Sequence, residues 1–194
     1  MSLALAHSRA RTGVHAPEVR VEAYLSPGLP SVQVVGLPEA AVRESRDRVR
    51  AAIQCSQLEM PQRRIVINLA PADVPKDGSR FDLPIAIGIL AAQGDVSLEA
   101  LQRYELLGEL ALTGELRTVD GVLPAALAAA RSGRALIVPA GNGIEAALAG
   151  EAEVFVARTL LEVIAHINGV KSLPQALPDA GTSASVAYPD LADV

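Results

Sequence analysis

Apolar and polar positions along the chain change their period several times, and each change marks an element. Ile65, Val66 and Ile67 belong to an apolar strand over 63–69. A polar, Pro-rich loop follows, and from 82 to 93 the chain becomes almost wholly apolar. That length suits a helix, and a helix apolar on every side is a buried one. Asp82 is the expected N-cap, its carboxylate accepting an N–H of the first turn. Pro84 then falls where its missing N–H would have had no partner. Placing the cap at Ser79 would set Pro84 too deep, so Ser79 is read as shaping the loop.

Upstream, 3–6 reads as a short first strand. Residues 18–25 alternate, with Val19, Val21 and Ala23 on one face, and 31–35 alternate again. The Pro-Gly pair at 27–28 predicts a hairpin between them. Pro38 opens a helix running to about 56, with Val42, Ser45, Val49, Ala52 and Ile53 as its buried stripe. Glu39–Arg43 and Glu44–Arg48 stand at i,i+4 spacing on that helix.

Downstream, the pattern predicts a short helix at 98–103 and a strand at 105–112. A turn at Thr113-Gly114 leads to a partner strand at 115–118, then an Ala-rich helix at 121–132. A buried strand at 135–138, a small helix near 143–149, a strand at 153–156 and a helix at 160–168 capped by Thr159 complete it. Strands interleaved with helices in this way predict an α/β (α+β) domain over 1–170, a mixed sheet with packed helices. From 171 to 194 Pro, Ala, Ser and Asp dominate, as in a linker.

Composition narrows the picture. At 194 residues, half of them hydrophobic, the chain suits one domain with a proper core. One cysteine, Cys55, permits no intramolecular disulfide and fits a reducing, cytoplasmic setting. The longest apolar run, 83–92, is far below the roughly 20 residues that span a bilayer, and no secretory leader is visible. The net charge of −5 is unevenly placed: residues 43–80 carry eight basic groups against five acidic ones, so a local basic region sits on an acidic body.

Longer motifs carry a resemblance. The run R-R-I-V-I-N-L-A-P-A-D-V-P-K-D-G-S-R-F-D-L-P-I-A-I-G-I-L over 63–90 is similar to a signature of the ComM/YifB family, magnesium-chelatase-like AAA+ proteins. G-L-P-S-V-Q-V-V-G-L-P at 28–38, A-V-R-E-S-R-D-R-V-R-A-A-I at 41–53 and G-E-L-R-T-V-D-G-V-L-P at 114–124 agree with it. The resemblance implies an N-terminal domain with a Lon-protease-like fold, ahead of an ATPase module that would hold ATP and Mg. It further implies a homo-hexamer and a role in DNA branch migration during natural transformation. The terminal Y-P-D-L-A-D-V resembles the lead-in to that module.

Each candidate chemistry is then weighed on its residues. No G-x-x-x-x-G-K-[ST] occurs, so no phosphate-cradling P-loop and no cofactor is expected within the chain. His7, His15 and His166 lack metal-ligand spacing. Lys76 and Ser79 lie in P-K-D-G-S, where the resemblance would place a Lon-type nucleophile. A serine nucleophile needs a base, and a lysine serves only when its pKa is lowered. The matching serine position, however, is Arg80 (or Phe81 with one insertion), and the matching lysine position is Leu123. A catalytically silent domain is expected, with a Ser-Lys peptidase as the displaced alternative and a protein-remodelling chelatase-type subunit as the other. The remaining candidates are the basic residues Arg43, Arg46, Arg50, Arg63, Arg64, Lys76 and Arg80, read as a face for DNA phosphates or a neighbouring subunit. Five aromatics in the whole chain give little support to base stacking.

Overall fold

The computed structural model describes residues 2–36, 39–76, 78–150 and 152–177, with the backbone alone for 39–43. Pro38 and residues 178–194 lie outside it, as do the side chains of Val42, Arg43 and the Glu39–Arg43 pair.

Nine strands and six helices are described. In chain order they are β1 (Ser2–Arg9), β2 (Glu18–Ser26), β3 (Ser31–Val35), α1 (Glu39–Cys55), β4 (Arg64–Ala70), α2 (Asp82–Gln93), α3 (Leu98–Leu101), β5 (Tyr104–Leu106), β6 (Glu109–Leu110), β7 (Leu116–Arg117), α4 (Val122–Arg131), β8 (Ala135–Pro139), α5 (Gly143–Ala147), β9 (Val154–Ala157) and α6 (Leu160–Ile167). Seven strands form one mixed sheet in the order β3-β4-β2-β1-β5-β8-β9, and β6 and β7 form a separate pair. This is the α/β (α+β) architecture expected.

The hairpin expected at 27–28 is not formed. β4 lies between β2 and β3, antiparallel to the first and parallel to the second. Parallel neighbours need a crossover, and α1 supplies it between β3 and β4. The physical reason is the side-chain inventory. β4 carries Ile65, Ile67 and Leu69, all buried, and gains most from a central place with ladders on both sides. β3, with exposed Ser31 and Gln33, tolerates the edge.

α2 is the centre of the core. Every residue from Asp82 to Ala92 is buried, and the helix lies over β1 and β2, on the face that carries Ala4, Ala6, Val21 and Ala23. Small residues bring helix and sheet close: a Cβ on Gly88 would sit 3.3 Å from that of Ala23. Each buried Ile or Leu contributes about 1.5–3 kcal/mol, which makes this contact the main source of cohesion.

β1 is twice as long as the pattern implied, because Ser8 and Arg9 are polar yet buried. Ser8 Oγ donates to the Leu106 carbonyl at 2.8 Å, and Arg9 meets Glu105. The strand read at 105–112 is interrupted: Gly108 leaves the sheet, donating to the Arg80 carbonyl and accepting from Leu83 N–H, both at 3.1 Å. β8 is covered on both faces, by α4 and α5 over Leu136 and Val138 and by the main core over Ile137.

The linker reading at 171 meets a packed segment. Val156 N–H donates to the Pro174 carbonyl and Ala176 N–H to that of Val154, so the chain to 177 runs along β9. His166 anchors it, its Nδ1 accepting from Leu173 N–H at 3.0 Å while its ring packs in a cluster with those of Tyr104 and Phe155. Burial pushes the His166 imidazole below its ordinary pKa. The unfolded chain takes up this proton near pH 6.5, the folded chain only lower, so stability is full above about 6.5 and falls as pH drops below it. Thermal melts between about pH 7.5 and 5 should show this loss. His166→Asn, which keeps an acceptor but no proton site, should flatten it.

Candidate functional site

The loop between β4 and α2 folds onto the turn before α4. Lys76 Nζ donates to the carbonyls of Pro71 and, at 2.9 Å, Val74, and burial lowers its pKa. Ser79 donates to the carboxylate of Glu109, which also faces Arg117 at 3.5 Å. No hydrogen bond joins Lys76 to Ser79 among the described residues, so the lysine with the depressed pKa does not serve the serine. A short 3-10 turn, Ser79–Phe81, delivers Arg80 into the interior, where its Nη2 donates to the Asp120 carbonyl at 3.2 Å.

Arg80 and Leu123, the two positions that matched a peptidase dyad, thus fall on neighbouring segments. Beside Arg80 opens a cleft of about 450 Å³, lined by Arg11, Ser79, Arg80, Glu109, Thr118 and Asp120 among others. The first turn of α4 begins two residues past Asp120, with its leading amides already taken. Val122 and Leu123 N–H both donate to Glu145 Oε1, at 2.8 and 3.1 Å.

Asp82 does not cap α2. The cap position is Phe81, without a side-chain bond, and Asp82 is the first helical residue, fully buried. Its carboxylate accepts from Arg48 Nε at 2.7 Å, Arg48 Nη2 at 3.3 Å and Leu110 N–H at 3.3 Å. Burial raises the Asp82 pKa, with Arg48 and the Leu110 amide pulling the other way; the bond to Asp82 holds the Arg48 guanidinium above its ordinary value. A partner on another helix outbid the local backbone for this carboxylate. The expected Glu44–Arg48 contact is present at 3.6 Å, as the weaker use of the same arginine.

The basic set divides. Lys76 and Arg80 are buried, at 3% and 5% exposure, and do not belong to a surface face. Arg46 is half-buried and reaches Asp47 at 3.3 Å. Arg50, Arg63 and Arg64 are exposed, and no carboxylate pairs with them among the described residues. Arg50 and Arg63 line one small groove beside β3, and Arg64 opens β4 next to them. Arg43 lies among the side chains not described.

One buried charge cluster escaped the sequence reading. Arg9 donates from Nε and Nη2 to the two oxygens of Glu105, each at 2.6 Å, and Arg134 approaches Glu105 and Glu18 at 3.2 and 3.1 Å. His7 joins through Glu18 at 2.8 Å. The available signal was a glutamate inside the apolar stretch 104–110, which invites a buried partner.

With this geometry in view, the likenesses to known proteins can be read. A family model described as subunit ChlI of Mg-chelatase matches residues 21–142. The competence protein ComM of Haemophilus influenzae is 52% identical over 176 residues, covering 91% of this chain and 35% of that protein. The chain belongs to the ComM/YifB family of magnesium-chelatase-like proteins. Within the ComM/YifB family, YifB of Escherichia coli is 47% identical over 194 residues, all of this chain and 38% of that protein. An uncharacterized protein of Mycobacterium tuberculosis is 44% identical over 195 residues, all of this chain and 39% of its own length. The chain therefore spans between a third and two fifths of these relatives. Among the described residues no helix is long and apolar enough to cross a membrane, and no group of three or more His, Cys, Asp or Glu is placed to hold a metal ion.

Proposed function

We propose that this is a non-catalytic domain of a ComM/YifB-type AAA+ ATPase, which helps assemble a hexamer and guides DNA while another module hydrolyses ATP with Mg. The observation that carries the reading is the exposed group Arg50, Arg63 and Arg64 at one edge of the sheet, without carboxylate partners among the described residues. Guanidinium groups free of carboxylates suit phosphates, whose contacts position a duplex without reading its sequence. The arginine and leucine at the two dyad positions, and a Ser79 hydroxyl committed to Glu109, support the non-catalytic part.

The test uses the full-length protein with Arg50→Glu, Arg63→Glu and Arg64→Glu combined. All three side chains are exposed, so the fold should survive. Duplex binding should weaken at every sequence, and the slope of log K against log salt should become shallower by about 3, near 0.9 per lost phosphate contact. Unchanged binding and slope would end the DNA reading. Loss of the hexamer with the same variant would make this edge a subunit contact instead.

A further inference from the structure

The cleft beneath Ser79 holds a cation with too few partners. Arg80 is 5% exposed, yet its one hydrogen bond among the described residues is from Nη2 to the Asp120 carbonyl. Its Nε is buried with no partner at all. A guanidinium carries five N–H donors, and a buried charge left unpaired costs several kcal/mol. Burial, and the nearby Arg11, press the Arg80 pKa downward. Among the described residues the carboxylates around it have other partners: Glu109 has Ser79 and Arg117, Asp120 has Arg11 at 3.3 Å, and Glu145 has the N–H groups of Val122 and Leu123. Arg9, by contrast, shows what a satisfied buried arginine looks like in this fold, with a bidentate carboxylate and three further acceptors.

We propose that this cleft is a binding site for a carboxylate, taken by the Arg80 guanidinium that lines it. Charge-assisted N–H···O bonds to one planar anion suit a guanidinium whose positive charge has no carboxylate partner among the described residues. The charge of the rim selects among anions. Arg11 pairs with Asp120 and Arg117 with Glu109, so Arg80 alone is left to balance one negative charge and the rim carboxylates repel a second. A carboxylate is thereby preferred to a phosphate dianion. At about 450 Å³ the cleft has room for more than the anion itself, and Ser79 and Thr118 line it beside Arg80. The ligand is thus a small organic acid or an acidic residue of a peptide, both presenting the same group. The site is independent of the DNA reading, since Arg80 is not part of the exposed arginine edge.

The test follows the Arg80 Nε–H resonance of the 194-residue chain by NMR. The probes are acetate, glutarate, a blocked peptide containing one glutamate, and inorganic phosphate. The carboxylates should shift the resonance saturably, with phosphate at least about tenfold weaker. A peptide about tenfold tighter than glutarate assigns the source as peptide; the reverse assigns a small acid. Arg80→Lys should weaken carboxylate binding by about tenfold or more, the loss expected for a charge-assisted bond, followed by chemical shifts of neighbouring amides. Arg80→Met supplies the second readout. If Arg80 is kept for a ligand, removing an unpaired buried charge should leave the melting temperature equal or higher while abolishing binding. No saturable shift, tighter binding of phosphate, or a clear fall in melting temperature for Arg80→Met would each overturn the proposal.

Discussion

Arg9→Met should lower the unfolding free energy by about 3 kcal/mol, a large loss for a single charged side chain. Glu105 is fully buried, and the two Arg9 bonds at 2.6 Å are its main compensation. Methionine fills the space and leaves the glutamate charged in a low-dielectric interior. Arg134, at 3.2 Å from Glu105, remains and keeps the loss at the lower end of the range for broken buried pairs, about 3–5 kcal/mol. For a chain of this size that corresponds to a fall of roughly 10 °C in melting temperature. Replacing both partners, Arg9→Met with Glu105→Leu, should recover much of it, because no charge is then stranded. Urea unfolding measures both. A loss below about 1 kcal/mol for Arg9→Met would mean that the pair does not carry the joint between β1 and β5.

The Arg48–Asp82 pair should respond unequally to its two halves. Asp82 is fully buried, whereas the Arg48 side chain is 21% exposed. Arg48→Met strands a carboxylate that cannot reach water and should cost about 3 kcal/mol at neutral pH. Asp82→Asn leaves an arginine that can turn toward solvent and should cost about 1–2 kcal/mol. The acid side gives a second check. With a folded pKa already above its ordinary value, Asp82 binds its proton more tightly in the folded chain than in the unfolded one. The penalty of Arg48→Met should therefore be smallest below about pH 4 and grow as pH rises through the folded pKa. Equal costs for the two variants, or a penalty independent of pH, would show that Asp82 is not isolated from water. Since Asp82 also holds Leu110 N–H, these variants should disturb the Ser79–Arg80 cleft as well.

The elements themselves were legible along the chain because burial imposes a period on them. The apolar run at 83–92 had to be a core helix, and the stripe Ser45, Val49, Ala52 and Ile53 of α1 is buried as its spacing required. Thr159 caps α6, accepting from Glu162 N–H at 3.2 Å, because a cap is a local bond between residues three apart. The family was legible too, from motifs of ten residues and more. Local chemistry and period are properties of neighbours in sequence, and a sequence displays its neighbours.

What escaped it were decisions between distant residues. Alternation at 18–25 and 31–35 says that both segments are strands but not that β4, some thirty residues on, will part them. Asp82 satisfies every local rule for a cap and is taken instead by Arg48, 34 residues away, because a buried charge gains more from a cation than from an amide. The arginines of 43–80 looked like one basic face. Packing sent Arg80 into a cleft and left Arg50, Arg63 and Arg64 outside, since the 3-10 turn at Ser79–Phe81 points the chain inward to start α2. By itself the sequence determined most of the elements, their buried faces and the family. The tertiary structure alone decided strand order, the pairing of buried charges and which basic groups meet water, because those energies depend on desolvation, which only the packed chain defines.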